Sequence, residues 1–497
     1  MVMSWLFGNR KSRLKKPDWQ KRPNKSLDAP MLLLNKAGDA ISWRDAMTGL
    51  FMTGSVGSGK TSVMHHLVIA AMRGGASVVC FTVKPPDAAE YSQLAEQCGR
   101  SPIIYRPLEQ RFNPVKLMLE RTAGTLGSHE KIVSLIMDTT KRLQSGAASG
   151  DAGFFIMQAE HFVSQLVTLA IAGGVIPSFK WILDCMNSVP QSKEEAADLG
   201  WQASCPVCEA IRLSHQCDLS MSDKVDRDQA AKWWLRDVVK IPSKTMASIV
   251  LTLQGPLSQL TRNELGQILN DPDADFDPSF VSETPSVLII DASTQEYGEL
   301  GVCLQRMIKR ALFESLKTRD TSANSFPVII AQDEVQELLD AHTEPELLRT
   351  MRSRRVCVLL ATQAISNITM AVGQSPQAES ISQSICGLPG IKIMMANTDP
   401  ETLSWCERTL TSTPQMKTSF GSKDQSSDEK KGQGKSSGKT SNFSFEYQPS
   451  VHACEIAQLK TGGPANKGIV ECFITKLGPP FKSGKTNIKV AFKQINL

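Results

Sequence analysis

GSVGSGKTS, residues 54–62, has the spacing of a phosphate-cradling loop: a glycine, four residues, then Gly-Lys-Thr. In that register the backbone N–H groups of Gly54, Ser55, Val56, Gly57, Ser58 and Gly59 curl around an anion. Lys60 and Thr61 add an ammonium and a hydroxyl, and Ser62 continues into the helix that follows. The context agrees. MTGLFMT (47–53) reads as a short strand, and SVMHHLVIAAMRGG (62–75) is apolar at helical spacing and ends in glycines. Strand, glycine turn and helix N-terminus together aim a helix dipole at the anion. Gly-Lys-Thr occurs twice more, at 438–440 and 484–486. In both copies the preceding glycine falls out of register, and both sit in Lys/Ser/Gly-rich stretches that read as loops.

A chain of 497 residues is too long for one core and implies two or three domains. With 55 Lys and Arg against 50 Asp and Glu it is mildly basic, which permits a nucleic-acid partner without arguing for one. Twelve scattered cysteines and no secretory signal point to a reducing cytoplasm. FFIMQAEHFVSQLVTLAIAGG (154–174) is the most apolar helix, but Glu160 and His161 interrupt it, so a buried helix is expected and no membrane span. Residues 1–30 form a basic, Pro-containing arm. A solvated tail is the plain reading of it, and contact with DNA or acidic lipid the functional one.

FPVIIAQDEVQELL (326–339) is an apolar strand ending in Asp333-Glu334. Beside a phosphate loop such a pair divides its work: Asp333 joins Thr61 in holding Mg²⁺, and Glu334 polarises the attacking water. In LLRTMRSRRVCVLLATQAISNI (347–368), VCVLLATQ reads as a buried parallel strand whose carboxyl end presents Thr362 and Gln363 to the ligand crevice. Gln363 is placed to sense a γ-phosphate. The segment before it, read as a helix, carries Arg349, Arg352, Arg354 and Arg355; most are expected to be a solvated face, with one free to reach a neighbouring subunit's ATP.

A strand ending in Asp-Glu, an arginine after it and a strand ending in Gln resemble the FtsK–HerA class of ring translocases, and more narrowly the type IV coupling proteins of conjugation. CFTVKPPDAAEYSQLAEQCGRSPIIYRPLEQRFNPVKLM (80–118), IPSKTMASIVLTLQGPLSQL (241–260) and IKIMMANTDPETLSWCERTLT (391–411) are similar, in this order, to segments of those proteins. The resemblance covers most of residues 45–475. It implies a RecA-like P-loop α/β core with an inserted all-α domain, assembled as a homo-oligomeric ring, a hexamer, with ATP between subunits. On the matching positions it implies Lys60 and Thr61 as the loop lysine and hydroxyl, Asp333 and Glu334 as the acids, Gln363 as the sensor and Arg352 as the trans-acting finger. The implied cargo is single-stranded DNA. A relaxase or type IV secretion components are the implied partners. Lacking transmembrane helices, the chain is expected to be a soluble form, cytoplasmic or held at the inner membrane by a partner. Two other readings stay open: a ring ATPase moving protein for a secretion or defence machine, and a nucleotide-dependent adaptor that recruits a relaxosome-type partner.

The resulting division is an arm (1–30), a nucleotide-binding domain in two parts (31–119 and 256–416), an inserted all-α domain (120–255), a flexible Lys/Ser/Gly-rich loop (417–445) and closing strands (446–497). In the insert, Trp233-Trp234 is expected to pack in a core rather than stack on bases. CPVCEAIRLSHQC (205–217) offers Cys205, Cys208, His215 and Cys217 as four zinc ligands; the cramped His-x-Cys spacing leaves reduced thiols on a helix as the alternative.

Overall fold

The structure, a computed structural model, describes residues 26–121, 128–144, 152–321, 326–341, 343–373, 377–410, 412–423 and 438–495. Most of the expected basic arm lies outside them. In chain order the strands are β1 (Pro30–Leu33), β2 (Ala40–Ser42), β3 (Leu50–Thr53), β4 (Ser77–Phe81), β5 (Pro102–Tyr105), β6 (Val287–Ile290), β7 (Val328–Gln332), β8 (Val356–Thr362), β9 (Ile391–Met395), β10 (Ser412–Lys423), β11 (Gly438–Pro449), β12 (Ile469–Lys476) and β13 (Asn487–Lys493).

Nine of them make the main sheet, in the order β13-β12-β9-β3-β8-β7-β4-β6-β5. From β9 to β5 every pairing is parallel, and β12 and β13 add an antiparallel edge. Parallel strands need crossover helices, which cover both faces and leave no residue half-wet. Accordingly β3, β4, β6, β7, β8 and β9 are buried along their whole length. The chain leaves β3 towards β4 on one side, and β9 fills the other side. Such a reversal opens a crevice at the carboxyl ends of the strands, beside β3.

β5 and β6 are neighbours in the sheet, yet a helical domain separates them in sequence. Its main helices are His129–Leu143, Ala152–Ala172, Phe179–Asn187, Pro206–Ser214, Met221–Lys232 and Ser243–Gln259. The helical stretch runs past the expected end at 255, through Asn263–Leu269, and the chain regains the sheet only at β6. VLII, the whole of β6, is a four-residue apolar run with no motif beside it, so sequence periodicity does not mark it. Ala152–Ala172 contains, among the described residues, the segment long and apolar enough to cross a bilayer (Gly153–Ala172). Its Ala159, Phe162, Val163, Leu166 and Val167 are buried in the helical domain, while Glu160 and His161 are exposed. Trp234 is fully buried, and Trp233 meets the rings of Phe162 and His161 edge-on. The tryptophan pair is packing.

The expected loop at 417–445 is corrected. β10 and β11 form a twelve-residue antiparallel hairpin, in register from Ser412 opposite Pro449 to Lys423 opposite Gly438. Residues 424–437 lie outside the described residues. Composition suggested a loop because Lys, Ser and Gly dominate, but NFSFEYQ (442–448) alternates polar and aromatic residues with the period of a strand. The second Gly-Lys-Thr opens β11, and the third lies in the β12–β13 turn, where the N–H of Phe481 donates to the carbonyl of Lys485 (2.9 Å). Neither copy starts a helix.

Candidate active site

β3 ends at Thr53, and the loop that follows is stitched to its two neighbours. The N–H of Gly54 donates to the carbonyl of Thr362, the last residue of β8 (3.3 Å), and that of Ser55 to Ala396 just after β9 (2.9 Å). The glycines are there for space and sign of φ. A Cβ on Gly54 would lie 2.5 Å from Ser58 Oγ, and one on Gly59 would lie 2.5 Å from a methyl of Val470 in β12. Gly57 and Gly59 have φ of +76° and +85°, the left-handed region. Gly59 is the N-cap of Lys60–Arg73, so the first turn of that helix faces the loop. Ser58 Oγ is buried with no hydrogen-bond partner.

Opposite the loop, β7 delivers Asp333 and Glu334. Glu334 is one of four non-glycine residues with positive φ among those described (+49°), and strain of this kind clusters at functional sites. Its carboxylate gathers the site. Oε1 accepts from Lys60 Nζ (3.0 Å) and Gln363 Nε2 (2.9 Å), and Oε2 accepts from Gln336 Nε2 (2.9 Å). Asp333 Oδ2 accepts from Thr61 Oγ1 (3.2 Å), and Oδ1 from the N–H of Glu334 (3.0 Å). The two acids are tuned apart. Burial raises Asp333, only partly offset by Lys60. Burial pushes Glu334 up as well, but Lys60 and the amides of Gln363 and Gln336 outweigh it and hold the carboxyl below its ordinary value.

Five of the residues singled out from sequence, Lys60, Thr61, Asp333, Glu334 and Gln363, are thus in one hydrogen-bonded constellation. Two others join them. Gln336 is held by Thr362 Oγ1, which donates to its Oε1 (3.0 Å). Asn397, just after β9, donates to the carbonyl of Gln363 (2.8 Å) and accepts from Ser55 Oγ (3.2 Å). Asn397 thereby ties the end of β8 to the phosphate loop. It obeys the same rule that marked Gln363, a polar residue at the carboxyl end of a core strand.

Arg352 stands apart. It lies exposed in a 3₁₀ turn, Met351–Arg354, rather than on the expected helix, which is the short Glu344–Thr350. That turn precedes β8, whereas Gln363 follows it. Seven strand residues at ~3.3 Å each put them roughly 20 Å apart along the sheet.

The zinc expectation fails. Cys205 and Cys208 open the helix Pro206–Ser214, while His215 is its C-cap. Seven residues of helix separate Cys208 from His215 by about 10 Å, far beyond ligand bonds of roughly 2.0–2.3 Å to one ion. Among the described residues no group of three or more His, Cys, Asp or Glu is placed to hold a metal. This search is silent on Thr61 with Asp333, a hydroxyl and one carboxylate, which suit an ion that keeps several waters, as Mg²⁺ does. With the unpartnered Ser58 hydroxyl, the glycine cradle and Lys60, the donor set fits a nucleoside triphosphate and Mg²⁺.

Residues 327–461 match the family model for the TraM recognition site of TraD and TraG. No curated protein matches the chain by sequence. Among solved structures it is similar to the plasmid coupling protein TrwB in complex with a non-hydrolysable ATP analogue: 13% identity, TM-score 0.58, covering 96% of this chain and 92% of that one. TrwB with ADP and Mg²⁺ gives 13% identity and a TM-score of 0.57, covering 97% and 92%. The unbound bacterial conjugative coupling protein TrwBdeltaN70 gives the same identity and TM-score over 96% and 91%. At this identity the likeness establishes the fold: a RecA-like P-loop core with an inserted all-α domain. Residues 327–461 thus match the TraD/TraG model, and the chain shares the fold of the coupling protein TrwB along nearly its whole length.

Proposed function

We propose that the chain is an ATP-hydrolysing ring motor that drives DNA, single-stranded in conjugative transfer, through a homo-hexamer. The observation that carries this is the meeting of Lys60, Gln363 and Gln336 on the carboxylate of Glu334, across from Thr61 and Asp333. A carboxyl held below its ordinary value is charged at neutral pH and is able to take a proton from water. Lys60 cannot serve Glu334 and a phosphate fully at once. Nucleotide binding therefore draws the ammonium onto the phosphates and leaves Glu334 held by the two amides, free to act as general base. Thr61 and Asp333 are the residues that would hold Mg²⁺, which supplies charge neutralisation at the phosphates. Gln363 reports the γ-phosphate, and its strand is braced against the loop through Asn397 and Ser55.

Arg352 acts in the neighbouring subunit's site, because its place before β8 puts it far from its own. Such a finger is worth about 10³–10⁵ in rate. The TraM-recognition match over 327–461 supports a relaxosome protein as docking partner, with the chain working at the cytoplasmic side of the inner membrane.

ATP turnover by the purified chain with no DNA, single-stranded DNA and duplex DNA tests the reading. DNA should stimulate the wild type, single strands most. Glu334→Gln and Arg352→Ala should each lose at least 100-fold in turnover, roughly the lower end of such effects, while still binding nucleotide; Lys60→Ala should lose binding as well. Glu334→Gln turning over like wild type would remove the assigned base. Turnover indifferent to DNA would shift the cargo to protein.

A further inference from the structure

We infer that residues 397–402 are a positioning clamp for Gln363, gripping the backbone on both sides of it and so setting where its amide stands. The inference rests on the reading of the chain as an ATPase with Gln363 at the γ-phosphate. β8 ends at Thr362 and the next helix begins at Ile365, so Gln363 lies in a two-residue step between them. Its peptide groups need partners from outside the strand and the helix. Asn397 Nδ2 donates to the carbonyl of Gln363 (2.8 Å), which also takes a longer contact from Thr53 Oγ1 (3.5 Å). Two residues on, the N–H of Ile365 donates to Thr402 Oγ1 (2.9 Å). That N–H is one of the free donors of a helix start, and the N-cap there is Ala364, whose methyl can cap nothing. Thr402 supplies the missing acceptor from another element.

The clamp is itself preset. Asp399 is the N-cap of the helix Pro400–Thr409, and its Oδ2 accepts both the N–H (2.9 Å) and the hydroxyl (2.6 Å) of Thr402. With its one proton committed to that carboxylate, the Thr402 hydroxyl is left to accept, and Ile365 is the donor it meets. Asn397 Oδ1 accepts from the N–H of Asp399 (2.9 Å) and from Ser55 Oγ (3.2 Å), which leaves its NH₂ for Gln363. Asn397 and Thr402 are 1% and 0% exposed, so water does not replace these bonds when they are lost. The helix behind the clamp is seated on the strand of the phosphate loop. Its Trp405 meets Phe51 of β3 edge-on, 5.5 Å between ring centroids, and its Cys406 is fully buried.

Gln363 Nε2 donates to Glu334 Oε1 (2.9 Å), so the place of its backbone decides whether its amide reaches the general base. Releasing either grip lets the step between β8 and the helix drift, and the amide leaves the base and the γ-phosphate together. Lys60, Thr61 and the backbone of the phosphate loop are untouched by that drift. The clamp therefore acts on turnover, through Gln363, and not on nucleotide affinity.

Steady-state ATP turnover of the full-length chain gives kcat and KM, and calorimetric titration with a non-hydrolysable ATP analogue and Mg²⁺ gives Kd. Asn397→Asp keeps the acceptor for Ser55 and Asp399 and loses only the donor to Gln363. Thr402→Val keeps the shape and loses the hydroxyl. Each should lower kcat by up to about 10²-fold, the cost of a 1 Å misplacement, with KM and Kd unchanged. Thr402→Ser, which restores the hydroxyl, should regain most of the loss. In a Gln363→Ala background neither substitution should lower kcat further, because residues that act as a unit do not add. No loss of kcat in either variant, the same fractional loss in both backgrounds, or a raised Kd at unchanged kcat would overturn the proposal. Gln363→Ala turning over like wild type would instead sink the sensor reading, and the clamp with it. If Asn397→Asp fails to fold, Thr402→Val and Thr402→Ser in the two Gln363 backgrounds decide alone.

Discussion

His65 follows Lys60 by five residues on the same helix, buried, with no hydrogen-bond partner on either ring nitrogen. Burial first, then the nearby His66, pulls its pKa from 6.5 to about 4. The ring is neutral when folded and takes a proton when unfolded below about pH 6.5. Its contribution to stability is therefore intact above 6.5 and falls between 6.5 and 4, by about 1.4 kcal/mol per pH unit for one proton. Glu90 Oε2, 3.7 Å from Nε2, stands ready to soften this only slightly, being partly exposed. Urea midpoints at pH 7 and 5 should show the loss, and His65→Phe, which keeps the edge-on contact with Tyr91, should flatten it. An unchanged slope would place the acid sensitivity elsewhere. At this scale the sequence was most legible where chemistry restricts residue type: a phosphate loop demands its glycines, Lys60 and Thr61, and hydrolysis demands an acid. Gln336 and Asn397 were not, because many side chains donate an amide and only the placement of strand ends makes these two matter.

The long helix Thr294–Lys317 holds β7 through one buried lysine. Lys309 Nζ donates to Glu344 Oε2 (2.7 Å), to the carbonyl of Leu338 (2.7 Å) and to Gln332 Oε1 (3.3 Å). Gln332 is the last residue of β7, next to Asp333, and Glu344 begins the short helix that runs into the Arg352 turn. One ammonium thus joins the strand of the acids to the turn that carries Arg352. Both charges are almost wholly buried, so removing one strands the other, and Glu344→Ala should cost about 3–5 kcal/mol. Lys309→Met with Glu344→Leu should recover much of that in a denaturant melt; equal losses in the single and double variants would show that the two do not act as a unit. Elements were legible by periodicity in β3, β7 and β8, whose apolar runs admit little else. The hairpin and the Arg352 turn were hidden, one by its polar composition and the other because four arginines in seven residues read as a helix face.

At the scale of the whole molecule, β10 and β11 pair with each other and, among the described residues, with no strand of the main sheet. Replacing residues 412–449 with a short Gly-Ser turn should leave nucleotide binding intact and shift the thermal midpoint by less than the ~2–4 °C that 1 kcal/mol represents in a domain of 150–250 residues. If the hairpin serves cargo or partner, DNA-stimulated turnover should fall while unstimulated turnover holds. A large drop in the midpoint would show instead that the hairpin supports the core. The position of β3 carries a different consequence. Among the described residues its strand neighbours are β8 and β9, which begin about 300 residues further along the chain. At ~5–20 residues per second, a ribosome needs roughly 15–60 s to deliver them. Throughout that interval the nascent chain holds the apolar strand of its phosphate loop with both edges bare. The yield of the chain in a cell therefore depends on what shelters residues 50–53 until β8 and β9 arrive.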